Sequence, residues 1–552
     1  MTTPPASAAP DAAPSGLLEA LDAYEAALLA NDLDALDAAF VDSSDTMRGD
    51  DRGLLVGHDA IRAFRGARGG VATRSLTHVE VRPLTEDRAL VVSVSRFAAG
   101  GQGLQTQLWR RDGDSTERGT DDAGTGDGAT SSAGPRWRIE AAHVTGRPKA
   151  VDTTVWRAVG DPLVAPTASG PLDGLTIAVK DLYAVPGQPV GAGNPTYLRE
   201  APVETAPAAA VAALLAAGAS IRGIARTDEF AYNLTGRNAH HGTPPNSAAP
   251  TRLPGGSSSG SASAVGLGTA EIGIGTDTAG SVRVPASYQG LWGLRTTHGT
   301  VSRDGLLPLA PSFDTVGWLT RSPGVLLAAL DATVPPPATA GTPDATVLVV
   351  PEELVALVEP AVARSFTAFI EALDEPVATV RLRDLGIADP AALQEQMRLV
   401  QAAEALAAHD PWIDAHPGAL SPVVGDRFRA ARANDPDATA DAVARLDEVR
   451  TTIRRALVGR TLLFPTVPGP APLLDADTAA LERTRTATTA MTALASVGGL
   501  PTVSAPLLTV HGAPVGVCLV GGTGTDRALV IRAGRMLPDQ AAPGLPTVSV
   551  VR

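Results

Sequence analysis

The stretch Pro254-Gly-Gly-Ser-Ser-Ser-Gly-Ser-Ala-Ser263 has the composition of a flexible tether, because Gly and Ser at this density are typical of solvated linkers. Its centre, GSSSG, also matches the G-x-S-x-G elbow of α/β-hydrolases, with Ser258 in the nucleophile position. That elbow must directly follow a strand, whereas the preceding HGTPPNSAAPTRLPGG contains four strand-breaking prolines. A tether is disfavoured too, since a small, apolar and buried-looking segment follows at 262–267. The stretch is better interpreted as a loop that holds reacting groups.

Composition limits the classes of protein that this chain can belong to. Its 552 residues are enough for two or more domains, and its net charge of −14 argues against nucleic-acid binding, which needs clustered Lys and Arg. Cys518 is the single cysteine, which excludes an internal disulfide framework and a multi-cysteine metal site. The N-terminal MTTPPASAAPDAAP lacks the features of a secretory signal, and no apolar run reaches the length of a bilayer span. We therefore expect a cytoplasmic protein without a membrane partner.

The N-terminal part of the chain predicts a disordered tail and a small α+β domain. Residues 1–15 are rich in Pro, Ala and Ser, which is typical of disorder. From Ser15 a helical pattern of leucines begins, and four strand-like runs follow, at 76–81, 89–97, 104–109 and 137–143. This domain is expected over residues 16–147, with a long polar loop at 111–135.

The remainder of the chain predicts one large α/β domain. Residues 148–165 are poorly patterned and are predicted to form a linker. Leu175-Thr-Ile-Ala-Val-Lys180 then has the apolar run of a buried strand, and helix-like and strand-like segments alternate after it. We expect the second domain to extend over residues 166–552, with helices covering a sheet.

Several motifs occur in the same order as in a known protein family. The segment PGGSSSGSA, followed by GTDTAGSVRVPAS and preceded by IAVKD, resembles the amidase signature family over roughly residues 165–540. The amino-acid sequences of these motifs are most similar to those of indole-acetamide-hydrolase-type amidases. The resemblance implies an α/β/α sandwich around a large mixed sheet. It also implies an amidohydrolase that cleaves a small carboxamide, of an aryl-acetamide kind, to a carboxylate and ammonia without metal or cofactor.

The resemblance also assigns roles to individual residues. It implies a catalytic triad of Lys180, Ser257 and Ser281, in which the peptide bond before Ser257 is cis and Ser281 forms an acyl-enzyme. The implied oxyanion hole consists of the backbone N–H groups of Thr278, Ala279, Gly280 and Ser281. The side chains implied to support the loop are those of Ser258, Asp277 and Arg283. Ala279 departs from the Gly of many members, so its φ is expected to be negative.

The chemistry explains why a lysine and a second serine are needed. A serine hydroxyl is a poor nucleophile near neutral pH, and neither serine motif contains a histidine that could act as base. Lys180 ends an apolar strand, and burial away from carboxylates would favour its neutral form. Asp181 would point to the opposite face. Ser257 would relay the proton from Ser281 to Lys180 and later to the departing amine.

Residues 16–147 resemble the NTF2-like/SnoaL group, and in particular the small decarboxylating amidohydrolases of cyanuric acid breakdown. YEAALLANDLDALDAAF, GHDAIRAFRGAR and WRIEAAHV carry this resemblance, which implies functional roles for Tyr24 and Arg48. Arg48 could clamp a carboxylated urea through paired hydrogen bonds. Alternatively, the domain only forms a homodimer or covers the amidase pocket.

Two other functions remain open from the sequence. The substrate could be a carboxylated urea or biuret, as the N-terminal domain suggests. The chain could also be an amidotransferase-type subunit that needs a partner protein. Metal binding by His240 and His241 is disfavoured, because adjacent side chains point apart and no H-E-x-x-H pattern is present.

Overall fold

A computed structural model describes residues 13–50, 53–68, 71, 73–97, 102–112, 136–145, 151–334 and 346–537. The chain divides into two compact units, Met1–Val151 and Asp152–Arg552. Most of the predicted tail, residues 1–12, and most of the predicted loop, residues 113–135, lie outside the described residues.

The described residues of the first unit form three helices and a six-stranded sheet of order β2-β1-β6-β5-β4-β3. Neighbouring strands are antiparallel except for β1 and β6, which are parallel. In chain order the elements are α1 (Leu17–Ala30), α2 (Leu33–Ala38), β1 (Met47–Asp50), β2 (Gly53–Val56), α3 (His58–Arg68), β3 (Arg74–Pro83), β4 (Arg88–Phe97), β5 (Gln102–Arg111) and β6 (Trp137–Thr145).

One amphipathic helix explains how this unit buries its core. Helical spacing places Leu17, Leu21 and Tyr24 on one face of α1, where all three are buried. They belong to the same core cluster as Trp109 of β5 and Ile139 of β6. The four predicted strands are all present, as β3 to β6, and the α+β class is confirmed.

In the second unit, the residues that the structure describes form an eleven-stranded mixed sheet of order β14-β13-β15-β17-β16-β11-β12-β10-β8-β9-β7. Its strands are β7 (Trp156–Val164), β8 (Thr176–Lys180), β9 (Ser220–Ala225), β10 (Ile272–Asp277), β11 (Trp292–Arg295), β12 (Thr315–Thr320), β13 (Val347–Pro351), β14 (Val377–Val380), β15 (Arg460–Pro465), β16 (Thr502–Val510) and β17 (Ala513–Val520).

Helices occupy the connections between these strands. They are α4 (Pro195–Glu200), α5 (Ala209–Ala216), α6 (Ser259–Gly266), α7 (Arg283–Tyr288), α8 (Pro323–Thr333), α9 (Glu352–Val355), α10 (Pro360–Glu371), α11 (Pro390–Ala415), α12 (Pro422–Arg432), α13 (Pro436–Ala456), α14 (Thr478–Gly498) and α15 (Asp526–Arg535). None of the helices in the described part of the chain has both the length and the apolar character of a membrane span.

Both faces of the large sheet are covered. Along β13, Leu348 and Val350 belong to one core cluster, whereas the intervening Val349 belongs to another. Because successive strand residues point to opposite faces, the two clusters lie on opposite sides of the sheet. Helices α5, α8, α10 and α15 contribute to the first cluster, and α11, α13 and α14 contribute to the second. The predicted layered α/β architecture with a large mixed sheet is confirmed.

The predicted linker at 148–165 differs from the structure. Residues 148–150 lie outside the described part, but Trp156–Val164 form the edge strand β7, antiparallel to β9. The pairing is irregular, with register shifts on either side of Ala158 and Val159. An irregularly paired edge strand that contains a proline, Pro162, leaves little alternating pattern for sequence reasoning to detect.

Candidate active site

Lys180 ends β8, which lies between β9 and β10 in the interior of the sheet. Its side chain is fully buried. The Nζ atom lies 2.8 Å from Ser257 Oγ, 3.1 Å from Ser258 Oγ and 2.7 Å from Thr276 Oγ1. Three neutral hydroxyls therefore surround the amine, and no carboxylate of the described residues lies within ion-pair distance of it.

The surroundings of Lys180 favour its uncharged form. Burial lowers the pKa of Lys180 to about 7, although the charges of Asp228, Asp277 and Asp314 act in the opposite direction. The next residue, Asp181, pairs instead with Arg157, whose Nε donates to Asp181 Oδ1 at 2.9 Å. The expectation that Asp181 leaves the lysine unpaired is met.

Ser257 sits at a constrained point of the backbone. The Gly256–Ser257 peptide bond is cis. The Ser257 carbonyl accepts hydrogen bonds from Thr227 Oγ1 at 2.9 Å and from the backbone N–H of Asp228 at 3.2 Å. A Cβ atom at Gly256 would collide with the carboxylate of Asp228, so this position requires glycine.

Ser281 lies beside the Ser257–Ser258 segment. The backbone N–H of Ser258 donates to the Ser281 carbonyl at 3.2 Å, and both serines are buried. Within the described chain, the Ser281 hydroxyl makes no hydrogen bond, so its contact with Ser257 is not formed in this state. Catalytic hydrogen bonds are often completed only when the substrate binds.

A buried ion cluster braces the loop that leads to Ser281. Asp277 accepts from Arg283 Nε at 3.0 Å, from Arg283 Nη2 at 2.8 Å and from Arg295 Nη1 at 3.1 Å. Burial acts to raise the pKa of Asp277, but the two guanidinium groups outweigh it and hold that pKa well below its usual range. Arg283 also donates to the Thr492 carbonyl and so ties the loop to α14. The structure thus brings together Asp277 and Arg283, which the sequence analysis named, and Arg295, which it did not name.

The predicted oxyanion donors need one correction. The N–H of Gly280 donates to Asp277 Oδ1 at 3.0 Å, because the carboxylate folds back across the turn that follows β10. In the described part of the chain, the N–H groups of Thr278, Ala279 and Ser281 have no acceptor. Ala279 is not among the residues with positive φ, as expected for a side chain with a methyl group.

Two further residues complete the site and were not singled out from the sequence. Thr276 on β10 accepts a hydrogen bond from Lys180 Nζ. Its position in the GTDTAG motif is the sequence feature that could have identified it. Asp228 is fully buried and accepts from Gly236 N–H at 3.0 Å and from Ser259 Oγ at 3.2 Å. Burial raises the pKa of Asp228 far above its usual range.

His240 holds a loop through a hydrogen-bonded carboxylate. Its Nε2 lies 2.8 Å from Glu229 Oε1, and the same carboxylate accepts from Asn194 Nδ2 at 2.6 Å and from Ser421 Oγ at 2.5 Å. Glu229 follows Asp228 directly, so this network anchors the segment that supports Ser257.

Tyr24 and Arg48 line a separate cavity of about 510 Å³, including its open mouth, in the first unit. Arg48 Nη1 lies 2.7 Å from Asp50 Oδ2, and Gln105 Nε2 donates to the Tyr24 hydroxyl at 3.3 Å. Two more arginines line the same cavity. Arg74 is paired with Glu25 at 2.8 Å, whereas Arg65 has no ion pair among the described residues.

Comparisons with known proteins agree with the two units. The family model Amidase matches residues 161–530, and the model AtzH-like matches residues 13–116. Amidase 1 of Arabidopsis thaliana is 37% identical over 398 residues, which cover 66% of this chain and 93% of that protein.

Solved structures give the same result. A crystal structure of an amidase matches with a TM-score of 0.62 and 31% identity, covering 69% of this chain and 91% of that one. A protein complex described as bearing on the origins of an s-triazine catabolic enzyme contains a chain that matches with a TM-score of 0.60 and 28% identity, covering 68% of this chain and 85% of that one. This chain therefore belongs to the amidase family, as an enzyme that hydrolyses amides and that carries an AtzH-like domain before its amidase domain.

Proposed function

We propose that the enzyme cleaves a small carboxamide through an acyl-enzyme on Ser281. Ser281 Oγ attacks the carbonyl carbon while its proton passes through Ser257 to the neutral Nζ of Lys180. The tetrahedral intermediate then collapses, the C–N bond breaks, and the proton returns through Ser257 to the departing nitrogen. Water then attacks the Ser281 ester while Ser257 passes the proton of the water to Lys180. The carboxylate is released as the proton returns to Ser281 Oγ.

The observation that carries this proposal is the fully buried Lys180 amine, which contacts three hydroxyls and pairs with no carboxylate of the described residues. A charged lysine in such a place would lack a counterion, and a neutral one has a lone pair for the relay. The N–H groups of Thr278, Ala279 and Ser281 supply donors for the oxyanion. Each such donor is worth about 3–4 kcal/mol of barrier.

Trapping with a fluorophosphonate tests the nucleophile. We expect one covalent adduct, which peptide mass spectrometry locates on Ser281 and which Ser281→Ala eliminates. Ser263→Ala is the matched control, because Ser263 is also a buried serine and its hydroxyl has no partner in the described part of the chain. An adduct on any other residue would refute the assignment.

Ammonia release from amides by the purified chain alone separates this proposal from an amidotransferase-type subunit that depends on a partner. Hydrolysis without added protein supports the amidase. Release that begins only after a second protein is added would favour the subunit.

A second candidate function rests on the cavity of the first unit. We propose that Tyr24 and Arg48 bind a carboxylated urea or biuret there, since arginines pair with carboxylates through two parallel hydrogen bonds. Calorimetric titration with malonate, as a simple dicarboxylate, tests the site. Binding that Arg48→Met abolishes supports it, and binding that is unchanged in this variant refutes it.

A further inference from the structure

Asp228 is a buried carboxylate to which the proposed reaction gives no role. It lies between β9 and α6, and its side chain is fully buried. Its two oxygens accept from the N–H of Gly236 at 3.0 Å and from Ser259 Oγ at 3.2 Å. Among the described residues it forms no ion pair, unlike Asp277. Burying a carboxylate without an adjacent cation is unfavourable for folding, which points to a role in the site.

The carboxylate of Asp228 packs against the segment that carries the relay serine. Its Oδ2 occupies the space that a Cβ atom at Gly256 would need, and its Oδ1 accepts from Ser259 Oγ. The backbone N–H of Asp228 donates to the Ser257 carbonyl at 3.2 Å. Asp228 therefore contacts the chain on both sides of Ser257, whose hydroxyl lies 2.8 Å from Lys180 Nζ.

The backbone that follows Asp228 is strained. Phe230 and Ala231 have φ angles of 48° and 56°, in the left-handed region that residues with a side chain rarely adopt. Such strain persists only where the surroundings hold the chain in place. Here the Phe230 N–H donates to the Ala192 carbonyl at 2.8 Å, and the Glu229 carboxylate is held by its own hydrogen bonds. The fold thus fixes the position of Asp228 at a cost in backbone free energy.

The charges of Asp228 and Lys180 favour each other. Burial raises the pKa of Asp228 and lowers that of Lys180, and the charge of each group opposes this effect on the other. Asp277 and Asp314 also act on Lys180, but less than Asp228 does. Asp277 is already balanced by its two arginines. The charge of Arg427 acts on Asp228 as well, less than that of Lys180.

We propose that Asp228 is a positioning residue of the amidase reaction, whose negative charge stabilises the Lys180 cation that forms when Ser281 attacks the amide. The inference rests on the proposed relay from Ser281 through Ser257. When Lys180 Nζ takes the proton, a cation forms without an adjacent counterion. The charge of Asp228, fixed against the relay segment, lowers the energy of that cation. Asp228 itself neither gains nor loses a proton in this step.

An amide of the same shape tests this inference. Asp228→Asn removes the charge, whereas the new side chain can still accept from Gly236 N–H and can donate to Ser259 Oγ. The readout is the rate at which a fluorophosphonate labels Ser281, from about pH 5 to about pH 9. Without the negative charge the pKa of Lys180 should fall, so the rising limb should move to lower pH by about one unit. The plateau should fall by less than about tenfold, because the amine becomes a weaker base.

Glu229→Gln is the matched control. Glu229 is the next residue and is also buried, but its carboxylate is directed to His240, Asn194 and Ser421. Its labelling limb should stay in place, and the comparison is between limbs, not plateaus. Thermal unfolding checks that each variant is folded.

The outcomes separate this inference from the proposed function. A limb that stays in place or moves to higher pH in Asp228→Asn, or that moves equally in Glu229→Gln, would overturn the inference and leave the nucleophile intact. If Asp228→Asn does not fold, Ser259→Ala decides by the same criterion. It removes a donor that stabilises the charged carboxylate, so its limb should move the same way by a smaller amount. Unmodified enzyme that is not labelled at Ser281 would instead overturn the proposed function.

Discussion

Lys180 of the amidase unit and two arginines of the first unit, Arg48 and Arg74, are buried in opposite ways. In the amidase unit, the Lys180 amine is surrounded by hydroxyls, and burial lowers its pKa to about 7. In the first unit, Arg48 and Arg74 are paired with Asp50 and Glu25 around a cavity. A lysine can lose its proton near neutral pH, whereas an arginine cannot. The first arrangement is therefore compatible with the proposed proton transfer, whereas the arginines of the second stay charged and paired.

The largest expected effect comes from replacing the lysine. Lys180→Met removes the base, and Lys180→Arg supplies a cation that cannot accept a proton. Both should lower kcat by about 10³-fold or more, in keeping with the loss of a general base. Ammonia release measures the rate, and unchanged thermal unfolding would show that the fold is retained. Substantial activity in Lys180→Arg would contradict the role of a neutral amine.

The dependence of kcat/KM on pH tests the same role of Lys180. Below the pKa of about 7, Lys180 binds a proton and cannot take one from the serine relay. We therefore expect kcat/KM to rise about tenfold for each pH unit below 7 and to level off above it. Initial rates between pH 5 and about 9 would measure this. A rate that falls as pH rises through 7 would be inconsistent with this assignment.

Replacing an arginine of the first unit should affect stability rather than catalysis. Arg74→Met leaves the nearly buried Glu25 without its ion pair. Removing one partner of a buried pair typically costs about 3–5 kcal/mol of unfolding free energy. Denaturant unfolding should report this loss, while hydrolysis of an uncharged amide stays within about twofold of the unmodified enzyme. If the rate falls and stability does not, the two basic sites are not independent.

The smallest effect is expected from removing one of the hydroxyls that surround the Lys180 amine. Thr276→Val removes one of the three acceptors around Lys180 Nζ and keeps the shape of the side chain. Because these acceptors stabilise the charged amine, the pKa should fall and the rising limb of the pH profile should move to lower pH. A shift of the limb to higher pH would show that Thr276 acts in another way.

Sequence reasoning located the motif residues because their chemistry and order are distinctive. Lys180, Ser257 and Ser258 meet through hydrogen bonds, and the methyl of Ala279 is accommodated. Arg295 could not be anticipated, since its contact with Asp277 depends on how β10, β11 and β12 are ordered in the sheet. The Gly280 N–H was misassigned for a similar reason, because a carboxylate three residues earlier folds back onto it.

Strand β7 determines where a truncated fragment that contains only the amidase unit could begin. The family match begins at residue 161, in the middle of this strand. A truncation at that point would delete Arg157 and leave Asp181 buried without its cation, one residue from Lys180, the proposed general base. It would also remove Trp156 from its pairing with β9. An autonomous amidase fragment therefore has to begin no later than Trp156, and a shorter one would have a damaged site although Lys180, Ser257 and Ser281 are all present.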